Sequence, residues 1–154
     1  MKNITIKRNR AFTTIEIAVV ILIVGLVFMT VSPAILNMMD TAKSETAEEK
    51  ISEIQTGIDD FFKDNGRYPD SLEEVFGEMP LDPWGNPYQY LDLSDVSGVG
   101  KMRKDKNLVP INSDYDLYSM GPDGKSVSPL TAQSSQDDIV RGRNGAFIGL
   151  ATDY

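Results

Sequence analysis

The stretch FTTIEIAVVILIVGLVFMTVSPAIL, running from Phe12 to Leu36, decides how the rest of this chain is read. Glu16 is its one charged residue, and the basic run KRNR, Lys7 to Arg10, stands directly before it. A helix over this stretch is long enough to cross a bilayer, and a basic flank of this kind orients such a segment. It reads as a transmembrane helix. An acid little more than one turn inside an apolar helix is costly unless it meets a partner. Glu16 therefore either reaches the headgroup layer or has a function of its own.

The chain has 154 residues, enough for one modest domain beyond the apolar stretch. Its net charge is −8, and Lys2, Lys7, Arg8 and Arg10 all precede Phe12, so the part after Phe12 is more acidic still. No nucleic-acid partner is expected of such a surface. With no cysteine there is no disulfide, no thiolate metal site and no thiol nucleophile. The absence of histidine removes the commonest general base. An enzyme built here would have only carboxylate chemistry, and no pair of acids is spaced for it, so no catalytic residue is assigned.

An ordinary secretory signal puts its small-residue cleavage site after the apolar run, where only Ser32 and Ala34 could be fitted. Here the small residue nearest the charges, Ala11, comes before it. The string RAFTTIEIAVVILIVGLVFMTVSP resembles the class III signal of type IV pilins and pseudopilins. The resemblance implies cleavage between Ala11 and Phe12 by a prepilin peptidase, and N-methylation of Phe12. It also gives Glu16, fifth in the mature chain, the assembly role of the acid that the family keeps there. Gly25 and Pro33 fall where such sequences place a helix-loosening glycine and proline. Ala11 stands where glycine is usual, and Thr14 where leucine is usual.

The family's arrangement answers the question posed by Glu16. A freed amino group on Phe12 is a cation in the same apolar layer, and packing copies side by side can set one chain's carboxylate beside another's amine. Pro33 lacks an amide hydrogen and Gly25 has low helix propensity. The segment between them can therefore loosen in a filament core, or Pro33 can simply kink a membrane helix.

Beyond Pro33 the pattern becomes one-sided. Ala47, Ile51, Ile54, Ile58, Phe61 and Phe62 recur at spacings of three and four, with Glu45, Glu48, Glu49, Lys50, Glu53, Asp59 and Asp60 mostly opposite. An amphipathic helix thus continues the first, its charged face either solvated or meeting neighbouring subunits. A helix from Phe12 to Asp64 would extend roughly 80 Å at the α-helical rise. Asn65-Gly66 stops it, and Arg67-Tyr68-Pro69 cannot continue it. Asp70 or Ser71 can cap a short helix reaching Phe76.

MPLDPWGNPYQY is dense in turn residues, with Trp84 expected to pin that loop onto a core and Tyr88 to Leu91 alternating as a strand. Asp92 to Pro110, with the basic run KMRKDK, has no clear period and reads as a variable loop or a hairpin, its basic run either solvated or in contact with an acidic neighbour. Tyr115 to Met120 resumes strand alternation, and Gly121-Pro122-Asp123-Gly124 is a turn signal. The chain from Lys125 to Gln136 is polar and rich in breakers, and Asp137-Asp138-Ile139 closes it.

Without thiols, the loop between Asp123 and Asp137-Asp138 calls for some other closure, and these acids would repel unless a cation or a spread of surface turns relieved them. KDNGRYP, LDPWGNPYQY, DLYSMGPDG and DDI, in this order, resemble the major pseudopilin of type II secretion. That resemblance implies an α+β, type IV pilin-like fold, with a long N-terminal helix on a small antiparallel sheet and a calcium-stabilised C-terminal loop. By position it makes Met120 (through its carbonyl), Asp123, Asp137 and Asp138 the metal ligands, with Ser126 or Ser128 as substitute oxygens. The loop from Gly124 to Asp137 is longer than the family's, and VRGRNGAFIGLATDY runs past its usual end.

The division implied is a cleaved leader over 1–11, a transmembrane or filament-core helix over 12–36, its amphipathic continuation over 37–64 and a globular head over 65–154. The implied function is that of a subunit of a helical homo-oligomeric filament, the periplasmic pseudopilus. Its expected partners are minor pseudopilins, the prepilin peptidase, an inner-membrane assembly platform and the membrane itself. The alternatives are a type IV pilus pilin and a single-pass protein with a binding head.

Overall fold

The computed structural model describes residues 12–94 and 96–154; of residues 30–34, 36 and 37 it describes the helical backbone alone. Residues 1–11, the expected leader with Ala11, lie outside the described residues. The fold is α+β. A long helix, α1 (Thr14–Asn65), is followed by α2 (Leu72–Phe76) and by strands β1 (Gln89–Asp92), β2 (Tyr115–Ser119), β3 (Ile139–Gly142) and β4 (Phe147–Leu150). The chain divides into two compact units, the second being Asp40–Tyr154.

In the first unit, the described side chains from Phe12 to Met29 are exposed on every side of the helix, Phe12 and Met29 each at 78%. No apolar stripe is set apart from a polar one. Among the described residues no helix is long and apolar enough to cross a membrane. The run of described apolar side chains is interrupted at Thr30, short of the Leu36 limit read from the sequence. The helix assignment continues through Gly25 and Pro33. A Cβ added at Gly25 would meet nothing within 4 Å, so this helix by itself does not require glycine there.

The second unit is built on the amphipathic half of α1. Ala47, Ile51, Ile54 and Ile58 are fully buried and meet Leu72, Tyr88, Tyr115, Leu117 and Ile139. Phe62 remains exposed at 40% but stacks on Tyr68 at 4.5 Å between ring centroids. The left-handed Gly66 follows the helix end, its N–H bonded to the Phe62 carbonyl at 2.8 Å. Ser71 is the N-cap of α2 without a side-chain bond, while Glu74 Oε2 accepts the Asp70 N–H at 2.8 Å.

The four strands form an antiparallel sheet in the order β1-β2-β3-β4, each pairing with its sequence neighbour. Gln89 faces Tyr118 and Asp92 faces Tyr115, which moves the first strand one residue beyond the Tyr88–Leu91 expectation. Tyr115 and Leu117 point to α1, whereas Tyr118 packs with the second cluster, Ile111, Leu130, Val140 and Ala151. Both faces of the sheet are therefore covered, the second by segments that the sequence left as loop.

Two expectations are corrected here. The chain does not close at Ile139: what looked like an extension forms the β3–β4 hairpin, turning at Arg143, Asn144 and Gly145, all at positive φ. The run KMRKDK is not simply solvated. Lys104 pairs with Pro129 in a parallel bridge, and Arg103 is buried.

Trp84 packs against the core as expected. Its loop is held by Asp82, whose Oδ1 accepts the N–H groups of Trp84 (3.0 Å) and Asn86 (2.8 Å) and whose Oδ2 accepts the Ser119 hydroxyl (2.5 Å). Asn86 Nδ2 in turn donates to the Gly121 carbonyl at 3.0 Å. Gly121 has φ +63, and a Cβ there would collide with the Asp137 carbonyl oxygen.

Two substitutions test this packing by chemical denaturation followed through the aromatic circular dichroism. Ile54→Ala should destabilise the second unit by about 2–5 kcal/mol through lost burial and a residual cavity. Gly121→Ala should cost at least about 1 kcal/mol, because φ is strained and the added carbon meets fixed backbone.

Candidate functional site

Two places carry the residues singled out in the sequence: the first turn of α1 and the turn-rich end of the second unit. At the first, Glu16 is not left without a partner. Its Oε2 accepts the Thr13 N–H and the Thr13 hydroxyl, each at 2.9 Å, and the Glu16 N–H donates to Thr13 Oγ1 at 3.3 Å. This is a reciprocal capping box, satisfying donors that the helix N-terminus would otherwise leave open. The sequence held the signal, Thr13-Thr14-Ile15-Glu16, in the spacing of Thr to Glu. Phe12 is described and exposed next to this turn.

At the second place the three implied acidic metal ligands take separate partners. Asp123 is exposed and its Oδ1 accepts the Lys125 N–H at 2.7 Å, a bond inside its own turn. Asp137 Oδ2 accepts the Asp123 N–H at 3.3 Å, so these two are brought together through backbone rather than around a shared point. Asp138 is fully buried, and its Oδ2 accepts the Ser126 hydroxyl (2.5 Å) and a bond from Arg103 Nη2. Met120 is partly buried at the end of β2. Ser128, the other substitute oxygen, donates to the Met102 carbonyl. Among the described residues no three acids gather in a way that could hold a metal ion.

Arg103 occupies the middle of this region. Nη1 donates to Ser126 Oγ (2.6 Å) and to the Val127 carbonyl (2.7 Å), and the guanidinium lies over the Tyr118 ring at 4.1 Å. Burial pushes the Asp138 carboxyl up to about 6, against the pull of Ser126 and Arg103, so at neutral pH the ionised form pairs with the guanidinium.

A second buried arginine, also unread in the sequence, ties the sheet to the helix. Arg141 makes a forked pair with Asp114 (2.9 and 2.6 Å), donates through Nε to Gln55 Oε1 of α1 at 2.8 Å, and lies 4.0 Å over the Tyr115 ring. Forked geometry of this kind is specific to arginine.

The described residues offer a helix segment with exposed apolar side chains and a second unit tied together by buried ion pairs. No family model matches the chain, and no solved structure matches it. Curated relatives do. The type II secretion system core protein G of Pseudomonas aeruginosa is 30% identical over 140 residues, covering 77% of this chain and 87% of that protein. The protein of the same name from Aeromonas hydrophila is 27% identical over 141 residues, at 78% and 87% coverage. That of Escherichia coli K12 is 27% identical over 154 residues, at 86% and 90%. At this identity and coverage, the chain belongs to the family of type II secretion system core protein G, the major pseudopilins.

Proposed function

We propose that this chain is the structural subunit of a periplasmic pseudopilus that assembles from the inner membrane and drives protein export by type II secretion. The observation that carries the reading is the first unit: apolar side chains from Phe12 to Met29 exposed all round the helix, with Glu16 in its first turn. A helix that is apolar on all sides needs lipid or copies of itself as cover. The family membership supplies the second of these covers, and the basic flank Lys7 to Arg10 favours the first as the starting state.

In this reading the chain is a single-pass inner-membrane protein with its C-terminal part in the periplasm. A prepilin peptidase cuts between Ala11 and Phe12, and the new amine on Phe12 is methylated. Thr13 uses one oxygen of Glu16, and a carboxylate has further acceptor sites, so the side chain can also take the amine of a neighbouring copy. The assembly platform and minor pseudopilins would meet the same filament. The role is mechanical and asks for no catalytic group.

Mass spectrometry of the protein recovered from membranes should give an N-terminal peptide beginning with methylated Phe12, and an intact Met1 would sink the reading. Replacing Glu16 by Leu should leave membrane insertion unchanged while filament recovery and export fall at least tenfold. Filaments at the unsubstituted level would reject the charge pairing.

A further inference from the structure

We infer that Arg103 does in this chain what a bound divalent cation does in the loop it resembles: its guanidinium is the positive charge that closes the C-terminal loop, and the loop is stable without calcium. This stands on the packing of the second unit alone and is independent of the filament reading.

The donors fit a guanidinium and do not fit a calcium ion. Calcium takes six to eight oxygens that converge on one point. Here Asp123 turns to the Lys125 N–H, Asp137 to the Asp123 N–H, and Asp138 to Arg103 and Ser126. The oxygens gathered around Arg103 are a carboxylate, a hydroxyl and a carbonyl, from Asp138, Ser126 and Val127. These are the oxygen types a hard cation would take, spread to match the planar fork of an arginine. The Tyr118 ring under the guanidinium occupies one face with carbon, where a metal would require oxygen.

Arg103 is also anchored so that the charge cannot withdraw. Its own N–H donates to Asp116 Oδ2 at 2.8 Å, and Lys104 next to it exchanges backbone bonds with Ser128 (3.1 Å) and Leu130 (2.9 Å). The arginine side chain is 4% exposed and the Asp138 side chain fully buried. A dication placed against Asp138 would face this fixed positive charge at close range in a region of low dielectric. The buried polar atoms left over at the site are Asp138 Oδ1 and Arg103 Nε, an acceptor and a donor on the two members of the same ion pair. Each is left without a hydrogen-bond partner, so the ion pair carries one unsatisfied acceptor and one unsatisfied donor.

The test uses the full chain in detergent, melted with millimolar calcium chloride or with EGTA and followed by aromatic circular dichroism. The two melting temperatures should coincide. Arg103→Met should lower the melting temperature by about 10 °C or more, because it strands a buried carboxylate. Adding Asp138→Asn to it should recover more than half of that loss, as expected of a coupled pair. A saturable rise in the unsubstituted protein's melting temperature with calcium would overturn the inference, and so would an Arg103→Met protein that melts as the unsubstituted one does. If Arg103→Met cannot be recovered folded, the calcium comparison on the unsubstituted chain decides alone.

Discussion

The contact between the buried stripe of α1 and the near face of β2, Ile51, Ile54 and Ile58 against Tyr115 and Leu117, is the one on which the rest of the second unit depends. It fixes which side chains of β2 face the helix, and by the two-residue period of a strand it sends Asp116 and Tyr118 to the other face. That face is not left to water. Ile111, Leu130 and Ala151 pack there with Val140 of β3, and Asp116 is buried and must find donors. It takes the Arg103 N–H and Asn112 Nδ2. The loop segments over the far face are thus tied down by polar groups that a helix on the near face has forced inward.

The two buried arginines divide this work. Arg141 lies on the helix side and joins three elements: its own strand β3, Asp114 just before β2, and Gln55 of α1. Arg103 lies on the far side and joins two loop segments to the start of β3. Neither gains much stability over an apolar side chain of equal volume, because removing two charges from water is expensive. What they supply is a unique arrangement: a forked guanidinium matches one set of oxygens, whereas an apolar patch would accept several loop paths. In a small unit without disulfides, that choice matters most where the chain has least regular structure.

What was legible in the sequence was what repeats locally. The stripe Ala47 to Ile58 shows its helical period within a dozen residues, Asn65-Gly66 marks its end, and Trp84 declares itself by size. The resemblance to pseudopilins was carried by short strings and agrees with the relatives. Arg103 could not be read in the same way. Its partner Asp138 is 35 residues away, and its neighbours Lys101, Lys104 and Lys106 make the run look like an ordinary solvated loop. Arg141 hid β3 for a related reason, since a charge in the middle of Ile139–Gly142 breaks the apolar pattern unless its distant partners are known. Asn144-Gly145 between two apolar runs was the available hairpin signal, but it lay beyond the point where the family resemblance ended.

The capping box changes what Glu16 contributes in the proposed filament. Read as an unpartnered acid, it would make leaving lipid strongly favourable. With Thr13 already bonded to it, the isolated helix bears much less of that cost, so pairing with a neighbour's amine adds to bonds already made and relieves less than an unpartnered acid would gain. Apolar side chains also gain little by leaving lipid for one another, since lipid tails are as apolar as they are. Neither term supplies a large driving force by itself. Glu16 then acts chiefly through position: it is the one acid between Phe12 and Leu36, so only one axial offset of neighbouring helices brings it to an amine. In the proposed filament the charge would select the register, and the work of extracting each subunit from the membrane would have to come from outside the chain.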